Sequence, residues 1–467
     1  MISGKSFEEA YDKLVLSCGA KAVTPSFYRE DEKMFTLRTV EDTFRIKEYI
    51  NQNNPKTATI IGGGFIGVEM AENLRHLGME VSIVQSNNQL LKILDKDMAS
   101  IVHSTMRANG ITLYFNKKVL NVMNDDKLIT VLSDGCNIQS DIVICAVGVT
   151  PDSHLASKAS LELGVKGSVK VNAHMQTSNP DIYAVGDMVE VEHFITKNNA
   201  LISLAGPANK QGRIAADNIC GINSEYKGSQ GSSIIKVFDL DVAVTGITER
   251  QCLERKINYE KVILSPVSHA TYYPNAKVLT LKVIYDKKTL NILGAQAVGY
   301  DGVDKRIDVL ATAIRANILA TELKDLDLAY APPYSSAKDP VNMAGFIIDN
   351  IESGIVKQFE YNEIEYLRKK DNIILLDTRT KYEYARGHAK GFINIPLDDL
   401  RDRLNELDKT KKIYVMCQSG LRSYLATRIL VQNGYDTYNF IGGYRLYSSI
   451  VNDEKLTLES YHCGMDK

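Results

Sequence analysis

Cys417 opens the segment CQSGLRS, which follows the apolar run IYVM and leads into a helical pattern beginning near Ser423. A cysteine at a strand end, in a glycine-containing loop that curls into a helix N-terminus, is surrounded by backbone N–H donors. Arg422 adds a permanent positive charge. Such a site favours a thiolate, and would equally stabilise an anionic persulfide or an oxyanion on a transferred group. The chain holds seven cysteines in all; Cys18, Cys136, Cys145, Cys220, Cys252 and Cys463 are scattered, form no C-x-x-C pair and read mainly as small hydrophobes. Its eight histidines form no HExxH and no zinc-spaced cluster, so no metal site is expected.

A second constellation lies in KTATIIGGGFIGVEMAENLRHLGMEVSIVQ, from Lys56. An apolar run ends in glycines, Ile66, Met70, Leu74 and Leu77 recur at helical spacing, and a second apolar run covers Glu80 to Val84, which together make a βαβ unit. Gly62, Gly64 and Gly67 form G-x-G-x-x-G at the strand-to-helix turn. The first permits the tight turn, the second lets a diphosphate approach the backbone, and the third lets helix and strand pack closely. A bare G-x-G-x-x-G can be an empty tight turn, but this one is framed by strand, helix and strand, and a dinucleotide is expected there. The second strand leads into Gln85, where an acid usually holds the adenosine 2′-hydroxyl; no Arg follows, so NADH and NADPH both stay open.

The elements that position these residues change in texture along the chain. KLITVLSDG and SDIVICAVGVTPDS read as strands, DIYAVGDMVE as a strand running into Gly186-Asp187, and LAGPANKQGRIAADNICG as a helix starting at Pro207. From Ser232 to Gly299, long alternating strands such as KVLTLKVIYD and NILGAQAV take over, followed by the helical VDKRIDVLATAIRANI and ATELKDLDL. The last hundred or so residues alternate strands and helices again, a common domain size. At 467 residues the chain is too long for one core, and at least three α/β or α+β domains are expected. A 44% apolar, 24% charged composition without low-complexity tracts argues against disorder. A net charge of -2 with no like-charge run argues against nucleic acid. No signal-like or 18-residue apolar run is present, so a cytoplasmic, non-membrane protein is expected.

DTR at Asp377 to Arg379, YEYARGHAKGFINIP at Tyr382 to Pro396 and the C-x-x-G-x-R-S loop resemble a rhodanese domain over residues 358–455. The resemblance implies that Cys417 carries sulfane sulfur with the loop amides and Arg422 around it. Asp377, Arg379, Glu383 and His388 match motif positions and are expected to make structural hydrogen bonds. The rest resembles the FAD-dependent pyridine nucleotide-disulfide reductases, and among them the coenzyme A-disulfide reductases fused to a rhodanese domain. YDKLVLSCGAKAVTP is similar to their strand leading from the flavin to the nicotinamide domain, and AVGD to their second flavin motif. That implies a partial FAD-binding domain at 1–55 and 182–228, a Rossmann-like NAD(P)-binding domain at 56–181, an α+β dimerisation domain at 229–347 and the C-terminal α/β rhodanese-like domain. Gly186 and Asp187 would meet the flavin ribityl chain, and the helix at Gly206-Pro207-Ala208 would point at the flavin pyrimidine, where a helix N-terminus stabilises an anion. Read without the resemblance, Gly-Asp after a strand is only a turn. YAPPYSSAKDPVNMAG and SHATYYPNA resemble the subfamily's substrate-facing loops, implying that Tyr330 and Tyr272, the latter chosen over Tyr273 by spacing, reach the partner subunit's flavin site in a homodimer.

The family's own first G-x-G-x-x-G for the FAD diphosphate, and the redox cysteine that follows it, have no counterpart in this sequence. Cys18 stands where the family has Thr or Pro, so it is not a substitute nucleophile. The expectation is therefore a truncated or incompletely predicted chain, with a flavin half-domain unstable alone and reductase activity impaired. The implied activity is NAD(P)H- and FAD-dependent reduction of coenzyme A disulfide or persulfide, with polysulfide another candidate substrate, coupled to sulfur transfer at Cys417. The rival readings are a flavin-independent sulfurtransferase with a vestigial reductase half, and a non-catalytic nucleotide-binding regulator.

Overall fold

The computed structural model describes residues 8–29 and 33–459. The chain divides into two compact units, one of residues 1–54 and 144–233, the other of 55–143 and 234–467. Residues 144–181 cluster with 1–54 and 182–233. Among the described residues no helix is long and apolar enough to cross a membrane.

In the second unit the strands Thr57–Ile61, Glu80–Gln85 and Ile111–Phe115 run parallel, with Ile60 opposite Ile83 and Val81 opposite Ile111. Between the first two, the helix Phe65–His76 buries Val68, Ala71 and Leu74 at i, i+3 and i+6; of Ile66, Met70, Leu74 and Leu77, whose spacing marks the helix in sequence, only Leu74 is buried and Leu77 is exposed. A three-stranded antiparallel meander follows over Val119–Asn124, Leu128–Leu132 and Asn137–Ser140. The strands Leu240–Gly246, Ile292–Gly299, Leu279–Asp286 and Tyr259–Leu264 lie side by side in that order, all antiparallel. ATELKDLDL, read as a helix, forms a 3-10 turn at Ala320–Asp325. The final domain is a parallel sheet in the order Lys357–Phe359, Thr437–Phe440, Lys412–Met416, Ile373–Asp377, Ile393–Asn394. Its two faces bury separate apolar clusters, one around Leu376, Ile413, Val415 and Leu430, the other around Phe359, Met416 and Phe440.

Within the first unit, Leu14–Leu16 pairs in parallel with Ile182–Ala184, over a core of Leu16, Ala156, Leu161, Val169 and Met188. Parallel strands are normally covered on both faces, yet Val15 is 43% exposed. The helix Ala205–Ile219 begins two residues ahead of Pro207, which therefore sits in its first turn, where a missing N–H costs nothing.

Inside the second unit a buried charge cluster joins three domains. The Lys282 ammonium, on a strand otherwise apolar, is fully buried and lies 2.8 Å from Asp97, 3.1 Å from Asp95 and in contact with Glu249. Lys261 extends the cluster from Glu249 (2.5 Å) to Glu360 (2.6 Å) of the final domain. Burial alone would raise the Glu249 carboxyl, but Lys282 and Lys261 bring it down to about 2. Burial likewise opposes the charge on Lys282, and the three carboxylates overcome it and raise its pKa.

Two outcomes are expected. Lys282→Met leaves the buried Asp95 and Asp97 without their cation and Glu249 with Lys261 alone, and should destabilise the fold by about 3–5 kcal/mol, read as a fall in Cm in a urea titration. Glu249 is depressed in the folded state, so its contribution is present above its unfolded pKa near 4.5 and lost as pH falls toward 2. Acid unfolding of the wild-type chain should therefore be steeper between those values than that of Glu249→Gln, by circular dichroism.

Candidate active-site elements

The glycine-rich turn is built as its sequence requires. Gly62 has φ +111°, and a Cβ on Gly67 would collide with the Gly62 carbonyl, so the helix can approach the strand only there. A Cβ on Gly64 would meet nothing within 4 Å: the space beside it is open, and Gly64 is the N-cap of a helix with no side-chain cap. Unpaired N–H groups facing open space beside a glycine fit a diphosphate. Gln85 is buried and folds back on this turn, accepting from the Gly63 N–H at 3.4 Å and donating to the Gln89 carbonyl at 3.2 Å.

In the first unit, Gly186 has φ +82°, and its N–H donates to Gln211 Oε1 at 2.7 Å. The Asp187 carboxylate pairs with Arg38 at 2.7 Å. The helix Ala205–Ile219 also starts without a side-chain cap, and a Cβ on Gly206 would meet open space. Pro207 and Ala208 lie in that first turn. An acceptor carboxylate at one point and free helix N–H groups at another fit the hydroxyl-bearing chain and the anionic ring edge of a flavin.

Tyr272 and Tyr330, 58 residues apart, meet with their hydroxyls 2.8 Å apart, and both are exposed. The ring of Tyr273 instead packs edge-on against the buried His269. The loops carrying the tyrosines are fixed by Arg306, a buried residue that sequence reasoning missed. Its guanidinium donates to the Ser268 carbonyl at 2.9 Å, to Ser335 at 3.2 Å and to Asp339 at 2.9 Å. Ser335 donates to Asp339, and the Ala270 N–H donates to the Ser335 carbonyl. One guanidinium thus ties the two loops together, with Nε also on Asp339 and Nη1 on the Gly302 carbonyl.

Cys417 is fully buried at the end of the strand Lys412–Met416. Its sulfur accepts from the Gly420 N–H at 3.1 Å and from the Ser423 hydroxyl at 3.3 Å. The helix begins at Leu421, two residues before the expected start, with Gly420 at φ +103°. The charge of Arg422 is not aimed at the sulfur: both its terminal nitrogens bind Glu383 at 2.7 Å. That pairing is the main reason the Glu383 carboxyl falls to about 2. Asp377 and Arg379 form a second, buried pair at 2.7 Å, and Arg379 also holds Gln418 of the loop and the Gly387 carbonyl. His388 stacks on Tyr384 and bonds its carbonyl. Ser423 and Gly443 were not singled out from sequence. Gly443, at φ +71°, lies so close to Gln418 and Ser419 that a Cβ would come within 2.6 Å of their backbone. The adjacent glycines in FIGGY were the available signal.

A dinucleotide turn, an antiparallel domain with a fixed tyrosine pair and a sulfur-bearing loop together define a reductase working on sulfur. Comparison with known proteins agrees. Residues 2–212 match the pyridine nucleotide-disulphide oxidoreductase model, 232–340 its dimerisation domain and 361–449 the rhodanese-like domain. A coenzyme A disulfide reductase of Staphylococcus haemolyticus is 36% identical over 345 residues, 74% of this chain and 77% of that protein. An NADH oxidase of Methanocaldococcus jannaschii is 36% identical over 73% of this chain and 76% of its own length. Among solved structures, reduced Bacillus anthracis CoADR-RHD superposes with a TM-score of 0.93 at 48% identity, covering 97% of this chain and 81% of that one. A NAD-dependent persulfide reductase from A. fulgidus gives 0.89 at 36%, covering 95% and 82%. The chain belongs to the pyridine nucleotide-disulphide oxidoreductases, FAD- and NAD(P)H-dependent enzymes, and carries a C-terminal rhodanese domain.

Replacing Arg306 with Met should cost about 3–5 kcal/mol by leaving the buried Asp339 carboxylate with only the more distant Lys305, at 4.0 Å, as counter-charge. It should also raise hydrogen exchange selectively in residues 266–276 and 330–339. Uniform exchange changes across the chain would contradict the anchoring role.

Proposed function

We propose that this protein reduces coenzyme A disulfide or coenzyme A persulfide with NAD(P)H and passes sulfane sulfur through Cys417, as a cytoplasmic homodimer. Polysulfide is an alternative sulfur source for the same loop. The observation that carries the reading is the joint presence, in one compact unit, of the open Gly62–Gly67 turn, the Tyr272–Tyr330 pair and the amide-lined Cys417. Proteins similar to this chain include a coenzyme A disulfide reductase and a NAD-dependent persulfide reductase.

Each element has a role set by its chemistry. Gly62, Gly64 and Gly67 admit the dinucleotide diphosphate to the helix N-terminus. Gly186, Asp187 and the first turn around Pro207 and Ala208 would hold the flavin, which when bound supplies two-electron transfer from nicotinamide to a sulfur centre. The paired hydroxyls of Tyr272 and Tyr330 present one donor and one acceptor to a thiol or disulfide. At Cys417, the Gly420 N–H and the Ser423 hydroxyl stabilise negative charge on the thiol sulfur and on the outer sulfur it carries. The Arg422–Glu383 pair keeps that loop in shape while leaving little net charge beside it.

The deciding experiment measures three readouts on one purified chain: the visible absorption spectrum, NAD(P)H consumption with coenzyme A disulfide, and thiocyanate formation from thiosulfate and cyanide. The reading expects a flavin spectrum on reconstitution, disulfide-dependent NAD(P)H oxidation, and sulfur transfer abolished by Cys417→Ala. Sulfur transfer without dinucleotide binding would overturn it. Because Gln85 neither repels nor attracts a 2′-phosphate, NADH and NADPH should bind within about tenfold of each other by calorimetry.

A further inference from the structure

Behind the dinucleotide turn, a line of buried hydrogen bonds runs into the last helix of the rhodanese domain. The Gly63 carbonyl accepts from the Leu91 N–H at 2.8 Å, and the Leu90 side chain fills the space where a Gly63 Cβ would stand. The Leu90 N–H donates to His103 Nε2 at 3.0 Å. His103 Nδ1 lies 2.8 Å from Asp453 Oδ2, and both residues are buried. Because a backbone N–H can only donate, Nε2 is the acceptor and the proton sits on Nδ1, pointing at Asp453. Burial lowers the His103 pKa and keeps the ring neutral, and its face packs 4.6 Å from Phe115. The second Asp453 oxygen takes Arg107 at 2.5 Å, so the carboxylate has no freedom to turn away.

Asp453 lies on the helix Gly443–Glu459, whose first turn holds the Cys417 loop: the Tyr444 N–H donates to the Cys417 carbonyl at 2.7 Å. The same helix therefore touches the sulfur loop at one end and, through His103, the segment that backs the glycine-rich turn at the other.

We propose that His103 and Asp453 are positioning residues for dinucleotide binding: the rhodanese domain's final helix, through Asp453 and the His103 ring, fixes the Leu90–Leu91 segment against Gly63 and so holds the diphosphate turn in its binding shape. The proposal rests on the assignment of Gly62–Gly67 to NAD(P)H. It makes the fused domain part of the dinucleotide site as well as a sulfur carrier.

The test is the NADH dissociation constant of the full chain, by calorimetry, for His103→Leu, His103→Gln, Asp453→Ala and, as a control at the same interface, Glu454→Gln, which disturbs only the Lys96 pair at 2.5 Å. Melting temperature and thiosulfate–cyanide sulfur transfer by Cys417 are recorded on each to show that the domains are folded. Losing a buried acceptor or its orienting carboxylate should weaken NADH binding about tenfold in His103→Leu and Asp453→Ala. His103→Gln keeps an acceptor for the Leu90 N–H and should bind within about threefold of wild type, with Glu454→Gln unchanged. Should His103→Leu not fold, the comparison of Asp453→Ala with His103→Gln decides. Wild-type affinity in Asp453→Ala, no rescue by Gln over Leu, or an equal loss in Glu454→Gln would overturn the proposal while leaving the dinucleotide assignment intact. Absence of NADH binding by the wild-type chain would overturn both.

Discussion

The second unit depends on the enclosure of one ammonium ion. Lys282 has no access to solvent and is matched by Asp95, Asp97 and Glu249. Asp95 and Asp97 come from the start of the helix Lys96–Ala108, Lys282 and Glu249 from the antiparallel domain. Asp95 also accepts from the Glu249 N–H and from Gln296. A buried ion cluster adds little net stability over apolar packing, because the desolvation cost is of the same order as the attraction. What it does supply is geometry: an apolar contact can slide, whereas a lysine with three carboxylate partners is satisfied in one arrangement only. The same helix also meets the rhodanese domain, through Ile101, Ser100 and His103. The docking of three domains is thus referred to one charge.

At Cys417, cations and anions are matched almost one to one. Arg422 is neutralised by Glu383 and Arg379 by Asp377, so the stabilisation of a sulfur anion falls to the Gly420 N–H and the Ser423 hydroxyl. Oriented dipoles favour a monoanion on the cysteine without holding a dianion tightly. For the sulfur-transfer role proposed for Cys417 that would be the useful balance, since a loop carrying two unpaired guanidinium groups would retain an oxidised sulfur anion rather than exchange it.

The parts of this molecule that could be read in the sequence are those whose function is local. The turn at Gly62, Gly64 and Gly67 is six residues long, and the cysteine loop seven, so residue type and spacing together specify them. Tyr272 and Tyr330 came only through resemblance, since nothing in either loop reveals that the hydroxyls meet. Arg422 is legible from its place in the loop and from resemblance, but its pairing with Glu383, 39 residues earlier, is not. His103 and Asp453 are 350 residues apart, and Lys282 and Asp97 185; no periodicity carries such pairs. Lys282 did leave a trace, as a charge within the apolar run LTLKVIYD, where alternation alone would place it facing solvent. The strand is covered on both faces, so every position from Leu279 to Tyr285 is buried.

The way the rhodanese domain is held bears on how sulfur moves. Freeing it from the rest of its unit would separate Lys261 from Glu360 and His103 and Arg107 from Asp453, and would expose Ile263, Ile441, Leu446 and Ile450. It would also break the backbone bond from the Gly442 N–H to the Ile263 carbonyl and the bond from Gln358 to the Lys261 carbonyl. Flexibly tethered carrier domains dock through small polar surfaces that water can re-solvate cheaply. Here the departing surfaces include the carboxylates of Asp453 and Glu360, which would lose their cationic partners at once. The domain is therefore a fixed wall of its unit. On the proposed reading, sulfur would reach Cys417 on a carrier that itself moves, and a thiol at the end of a long flexible chain, as coenzyme A has, is a carrier of that kind.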